Sequence, residues 1–341
     1  MNTIEMPIWP YAYGLPSGHG VMRREVDDFV VFEDLSFEPS GEGEHVFLQI
    51  QKTSENTDFI ARQLARFAEV RQRDVSYAGL KDRHAIATQW FSVWLPGKSD
   101  PDWSALESEN LRVIQVIRHA RKLKRGVLAA NHFTLRIRDW QGDVAKTNQQ
   151  LEWIKQSGVP NYFGVQRFGQ AGQNVNKALA MFQGAKVKRE QRSIYLSAAR
   201  SYLFNHILAE RVRQNNWQHA LAGDVYKLAG TQSHFQSDIP DDVIHARLLA
   251  NDIHPTGPLW GMGEQTAKAD AELIEVAVIA QYPELVAGLL QERLEMSRRS
   301  LRLTVQNMAW QFVAADILEL KFSLAPGSYA TAVLREIITD L

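Results

Sequence analysis

Cysteine is absent from all 341 residues, which excludes disulfides, thiolate metal sites and a cysteine nucleophile together. Net charge is nearly absent too, at −1, so any affinity for nucleic acid must come from a local patch and not from overall attraction. No apolar run approaches the length needed to cross a bilayer. Met1 to Tyr13 is mixed and holds Pro7 and Pro10, unlike the basic-then-apolar pattern of a secretory leader. These absences predict a cytoplasmic protein without membrane association. The ten histidines include no helical His-x-x-x-His pair beside a carboxylate, which predicts no metal. Gly261-Met262-Gly263 lacks a third glycine and a clear strand before it, so a dinucleotide site is not expected. Ser17-Gly18-His19-Gly20 lacks the Gly-x-Ser-x-Gly context of a serine hydrolase. Neither a repeat nor a long coiled coil is visible; the expectation is a monomer with no protein partner.

What is present is apolar content of 45%, enough for a substantial core, in a chain long enough for two domains or one domain with a large insertion. Residues 29–33 and 45–51 are rich in β-branched and aromatic side chains and read as strands, with Ser40-Gly41-Glu42-Gly43 as a turn between them. Asn56-Thr57 offers caps to a helix over 58–70, where Ile60, Leu64 and Phe67 recur at helical spacing. Strands are expected at 75–78, 89–95 and 132–138, and a helix at 145–156. The pattern changes near Gly158-Val159-Pro160. Helix dominates 174–215, with Ser193 as the expected cap of a long helix, and returns at 240–250 and 267–300. Strands are expected at 301–305 and 317–324, and Ser328 as the cap of a closing helix with Ala330, Val333, Leu334 and Ile337 inward. The economical fold class is α+β: one mixed domain from residues 1–157 and 305–341, and a mainly helical α/β domain inserted at 158–304.

Three segments could carry chemistry. In Gly79-Leu80-Lys81-Asp82-Arg83-His84-Ala85 a carboxylate follows a glycine loop after an apolar strand, with cations on both sides. Such neighbours suit a carboxylate base or nucleophile, although spacing alone fits a solvated turn better. Arg118-His119-Ala120-Arg121-Lys122-Leu123-Lys124-Arg125, close to Asn131 and Phe133, suits phosphate contacts beside a base-reading or stacking group. It fits a solvated charge run equally well. Asn161-Tyr162-Phe163-Gly164-Val165-Gln166-Arg167-Phe168-Gly169 could stack on single-stranded RNA, but packing at a domain junction suits so many aromatics better.

Taken together these blocks resemble the TruD family of tRNA pseudouridine synthases. The resemblance rests on Asn56-Thr57 with the Gly79–Ala85 block and Gln89, on Val159-Pro160 with the Asn161–Gly169 block, and on Asp28-Phe29-Val30-Val31. Gly41-Glu42-Gly43-Glu44-His45, Leu196-Ser197-Ala198-Ala199-Arg200 and Pro326-Gly327-Ser328 add to it, and the likeness runs from about residue 14 to the C-terminus. It implies a pseudouridine-synthase mixed sheet with flanking helices formed by both chain ends, and an inserted family-specific domain. It also implies isomerisation of uridine 13 of tRNA without cofactor or metal. The catalytic carboxylate falls on Asp82, and the substrate-contacting positions on Phe29, Asn131 and Tyr329. Phe133 falls on an active-site aromatic and Arg23 on the basic residue ahead of the Asp-Phe motif. Departures are Tyr329 where Phe is usual, Ala87 for Thr (with Thr88 adjacent), Val26 for Pro and Arg23 for Lys.

The implied chemistry requires the uridine to leave its stack, at a cost of a few kcal/mol. The basic stretch and residues 186–192 would offset that through phosphate contacts in a cleft between the domains. Phe29, Phe133 or Tyr329 would sandwich the uracil and Asn131 would hydrogen-bond it. Asp82, expected to be buried and held ionised by Arg23 or Lys81, would attack the sugar carbon or remove a proton from its neighbour. A tRNA-binding protein without chemistry would need no carboxylate at 82. A carboxylate-dependent hydrolase of a nucleoside or sugar would need a second carboxylate, for which Asp28, Glu42 and Glu44 are the nearest in sequence.

Overall fold

The computed structural model describes residues 4–124 and 126–339, so Arg125 of the basic stretch lies outside the described residues. The chain begins with β1 (Gly18–Met22) and β2 (Phe29–Leu35), followed by β3 (His45–Thr53) and the helix α1 (Thr57–Phe67). Short β4 (Val75–Tyr77), β5 (Ile86–Trp94), β6 (Leu111–His119) and the 15-residue β7 (Leu128–Gly142) complete the first half of a sheet. After α2 (Val144–Ser157) the chain turns away. Gly158 makes that exit at φ +76, and a Cβ there would meet the Leu303 carbonyl oxygen at 2.3 Å, so only glycine fits.

The segment that follows comprises β8 (Val159–Pro160), α3 (Val165–Phe168), α4 (Gln173–Phe182) and α5 (Arg189–Arg213). Then come β9 (Val225–Leu228), β10 (His234–Gln236), α6 (Asp242–Leu249), β11 (Ile253–Leu259), α7 (Ala269–Ile279), α8 (Pro283–Gln291) and β12 (Ser297–Ser300). β13 (Arg302–Leu303) pairs antiparallel with β8, so the excursion leaves and returns side by side. The chain ends with β14 (Gln306–Ala314), β15 (Ile317–Leu324) and α9 (Ala330–Leu334).

The two ends build one sheet. Its order among the described residues is β14-β15-β7-β2-β5-β3-β6, with β1 also on β7 and β4 also on β5. β2 and β5 are parallel, and the other neighbours are antiparallel, so the architecture is α+β on a mixed sheet. Packing follows from period-two patterning. Val46, Leu48 and Ile50 of β3 point to one face, against Ile60 and Leu64 of α1. A second core joins Leu135 and Ile137 of β7 to Val333, Leu334 and Ile337 at the C-terminus. The excursion has its own core around α5, where Ala199, Leu203 and Ile207 are buried. No single helix among the described residues is long and apolar enough to cross a membrane; α7 and α8 together have the length and composition but meet at 97°.

Several local expectations need correction. Ser193 lies inside α5 and donates to the Glu190 carbonyl; the N-cap is Lys188. Tyr329, not Ser328, is the N-cap of α9. Residues 267–300 do not form continuous helix: Tyr282-Pro283 separates α7 from α8, and 297–300 is a strand. The excursion also carries a four-stranded sheet, β10-β9-β11-β12, whose strands were not located from the sequence. Pro255, Gly257 and Pro258 disguise β11, since each proline removes a ladder donor. Of the basic stretch, Arg118 and His119 form the end of β6.

Candidate active site

The Gly79–Asp82 loop is held from beneath by buried polar side chains. Gln89, fully buried on β5, donates from Nε2 to the Gly79 carbonyl at 2.5 Å and accepts from Thr57 Oγ1 at 3.0 Å. Thr57 Oγ1 in turn accepts from the Lys81 N–H at 3.1 Å. Lys52 continues the core-facing set of β3 after Val46, Leu48 and Ile50, and is fully buried. Its Nζ donates to the carbonyls of Glu55 (2.7 Å) and Asp82 (3.0 Å). Burial brings the Lys52 ammonium down to about 8. The loop backbone is thereby fixed at both ends and in the middle.

Lys81 reaches away from Asp82. Its Nζ lies 2.6 Å from Glu33 Oε1 and donates to Asn131 Oδ1 at 2.8 Å. Glu33 occupies a core-facing position of β2, directly across the ladder from Asn131, and is fully buried. Its other oxygen accepts from the Trp90 N–H at 3.0 Å. Burial raises the Glu33 carboxyl above its ordinary value, against the pull of Lys81. Asn131 Nδ2 has no acceptor among the described residues, which leaves one amide donor unspent beside the loop.

Asp82 itself is the exposed member, with 55% of its side chain accessible, contrary to the expected burial. Arg23 Nη2 donates to Asp82 Oδ2 at 2.9 Å, and the same guanidinium lies 4.2 Å from the centre of the Phe29 ring. Arg23 is held at φ +58, a conformation that costs a non-glycine residue energy and here aims its side chain between carboxylate and ring. Phe29 meets Phe133 edge to face at 6.1 Å, and Phe133 lies 5.5 Å from Phe322. Arg23, Phe29, Lys81, Asp82, Asn131 and Phe133 thus form one group of neighbours. Phe29 is only 3% accessible, so Phe133 is its more open partner.

Tyr329 stands outside that chain of contacts. It follows β15, whose last residue Leu324 is opposite Asn131, across the Ala325-Pro326-Gly327-Ser328 turn. Its hydroxyl accepts from Arg167 Nη2 at 2.7 Å, and its ring meets Phe163 at 6.4 Å. The Asn161–Gly169 block is mostly interior: Tyr162, Phe163 and Phe168 are core residues, which favours junction packing over open stacking. Of the basic stretch, Arg118 is occupied by Asp100 (2.5 Å) and by carbonyls, and Lys122 by the Arg73 carbonyl. Arg121 and Lys124 remain exposed. Ala87 is fully buried in β5, and Val26 opens a short 3-10 turn whose Asp28 is paired with Arg138. Glu44 accepts from Trp94 Nε1. No cluster of three or more His, Asp or Glu suited to a metal ion occurs among the described residues.

Two residues of the loop's support escape motif reading: Glu33 and Lys52. Each had a signal, being a charged side chain at a core-facing position of an alternating strand.

The family model for tRNA pseudouridine synthase D (TruD) matches residues 5–181 and 170–337. A tRNA pseudouridine synthase D from Methylococcus capsulatus is 47% identical over 96% of this chain and 94% of its own length. One from Nitrosococcus oceani is 48% identical over 96% and 93%. A solved structure from Methanosarcina mazei, described as a TruD protein, superposes with a TM-score of 0.74 over 96% of this chain and 95% of that one. At 20% identity that match speaks for the fold alone.

Proposed function

We propose that this chain, which belongs to the TruD family of tRNA pseudouridine synthases and isomerises uridine in tRNA, acts on uridine 13 and does so through Asp82. The observation that carries the reading is a contrast within one loop. Its backbone is fixed by Gln89, Thr57 and Lys52, while its Asp82 carboxylate is exposed and held by Arg23. A preorganised backbone with an accessible carboxylate is what a nucleophile or base acting on a flipped nucleotide requires. The division into a catalytic domain, 1–157 with 305–341, and an inserted domain, 158–304, belongs to the same reading.

The target uridine leaves its stack and enters beside Phe133, with Tyr329 closing the site and Asn131 Nδ2 donating to a uracil carbonyl. Arg23 keeps the Asp82 carboxylate oriented and shields the Phe29 face. Two routes are open to Asp82. In one it attacks C1′, forms a sugar ester and releases uracil through N1; the uracil turns, C5 displaces the carboxylate, and the C5 proton passes to a base. In the other it removes the C2′ proton as the C–N bond breaks and returns it to C2′ as C5 bonds to C1′, after which the C5 proton passes to a base. In both routes N1 takes up a proton as C5 gives one up, so the composition is unchanged, the C5 hydrogen exchanges with solvent and no cofactor is consumed.

The test is incubation with unmodified tRNA and no added cofactor, followed by carbodiimide-blocked primer extension, beside Asp82→Asn. A stop at position 13 that disappears in the variant is the expected result. A stop elsewhere discards the position, and a stop that survives in the variant discards Asp82. Release of free uracil or strand breaks would instead identify a hydrolase.

A further inference from the structure

One cleft lies apart from Asp82. A cleft of about 430 Å³ opens beside α5, lined by Phe163, Leu196, Ser197, Arg200, Leu259 and Arg299 among others. That volume falls within the roughly 300–1,000 Å³ of small-molecule sites. Its polar side is unusual. Arg299 lies 4.2 Å and Arg167 5.5 Å from the same Phe163 ring, so two like charges flank one aromatic. Arg200 stands at the same cleft. No carboxylate among the described residues pairs with any of the three.

Elsewhere, guanidiniums drawn into the protein are answered by acids: Arg138 by Asp28, Arg211 by Asp224, Arg298 by Glu275 and Arg335 by Glu336. Arg302 is the exception, and spends its donors on His254 and the carbonyls of Leu248 and Ile253. The cleft arginines are not spent in this way. Arg299 bonds Asn161 through Nη2 alone, and Arg200 bonds Leu259, Glu295 and Ser297 through Nη2 alone. Among the described residues their Nη1 groups have no acceptor, and Nε of all three arginines is buried without one. Burial pulls Arg299 down to about 10 and lowers Arg200 as well, the mark of charge held out of water without an opposite charge. Clustered cations with spare donors and no anion are completed by an anionic ligand, and arginine matches phosphate oxygens in particular.

Two features place that ligand on the substrate. Arg167 also donates to Tyr329, so the cleft adjoins the residue expected to close over the uracil. Beyond Ser193 at the cleft rim, Lys186, Lys188 and Arg189 at the start of α5 are exposed. Leu196, Leu259 and Leu294 give the cleft an apolar wall too broad for a bare anion to fill. We propose that this cleft binds one further unstacked nucleotide of the tRNA, its phosphate on Arg299 and Arg200 and its base against the leucine wall. The inference rests on the reading of tRNA as the substrate, but not on Asp82.

The experiment is phosphate-ethylation interference with an end-labelled, unmodified tRNA transcript, comparing the wild-type protein with Arg299→Gln and Leu196→Trp. In the wild type, ethylation of one phosphate near the target should block binding. In Arg299→Gln that interference should vanish while the others persist, and the Kd should rise about tenfold or more. The slope of log K against log salt should fall by about one. Leu196→Trp fills the cleft without removing a guanidinium, and should weaken tRNA binding even if Arg299→Gln does not fold. An unchanged interference pattern and Kd in a folded Arg299→Gln protein would overturn the proposal, as would normal binding by Leu196→Trp. Stabilisation of wild type but not Arg299→Gln by uridine 5′-monophosphate or inorganic phosphate, with the tRNA pattern unchanged, would assign the cleft to a free phosphate ligand and overturn it too. Because binding is read without turnover, an Arg299-dependent pattern in a protein that makes no pseudouridine would support the cleft and sink only the catalytic reading.

Discussion

The surroundings of Asp82 and of Phe163 are both rich in cations, and they treat them in opposite ways. Around Asp82 the positive groups are answered from within: Arg23 by Asp82, Lys81 by Glu33, and Lys52 by two carbonyls. Around Phe163, Arg167, Arg200 and Arg299 have no carboxylate among the described residues. A self-compensated region is rigid and presents a single reactive group, whereas a region of uncompensated charge is completed from outside. The first arrangement suits chemistry and the second suits grip.

The largest effect that would break this comparison is at Asp82. Asp82→Asn should lower turnover about a thousandfold or more, read as tritium release from tRNA carrying 5-tritiated uridine, while Kd for tRNA changes less than about twofold. Turnover within tenfold of wild type would remove the carboxylate from the chemistry. Arg299→Gln is the mirror image, with Kd raised about tenfold or more and the rate at saturating tRNA kept.

Next comes the buried pair. Glu33→Gln leaves Lys81 uncompensated in a dry site and should cost about 3–5 kcal/mol in urea unfolding. The double variant Glu33→Gln with Lys81→Met should recover much of that. Equal losses in the single and double variants would mean that the pair is not what stabilises the loop.

Lys52 sharpens the comparison through pH. Its folded value of about 8 lies below the ordinary 10.5, so between these limits the native state binds fewer protons than the unfolded one. The contribution of Lys52 to unfolding free energy should therefore rise with pH across that window, and Lys52→Met should flatten the profile. Parallel profiles for the two proteins would place Lys52 in contact with water. The smallest effect is expected at Tyr329→Phe, which removes the hydroxyl that accepts from Arg167 but keeps the ring. Stability should fall by about 0.5–1.5 kcal/mol, with turnover within about threefold. A large loss of turnover would assign the hydroxyl a direct part in the reaction.

Much of the main sheet was legible. β2, β3 and β15 follow from alternation and β-branched content, and α1 from its apolar spacing. The inserted sheet was not, because β9 and β10 are very short and β11 is interrupted by two prolines. At the candidate site, the Gly79–Ala85 block stood out as a motif. Its support was readable only in part: the alternating pattern marks Glu33 and Lys52 as core-facing charges but does not say which partners they meet.

The sequence by itself determined β2, β3, β4, β5, β7 and β15 of the main sheet, the family, and the loop that carries Asp82, because local periodicity and short motifs depend on neighbours in the chain; β1, β6 and β14 were not expected. Only the tertiary structure decided that Lys81 turns to Glu33 and Asn131 while Arg23 meets Asp82, and that Arg200 and Arg299 line one cleft with Arg167 beside its Phe163 ring. Those pairings join residues separated by up to 132 positions, as Arg167 and Arg299 are across the Phe163 ring, and no spacing rule reaches so far. Which charge meets which is set by the packing of sheet and helices, since a buried charge must take the partner that the folded backbone brings within hydrogen-bond distance.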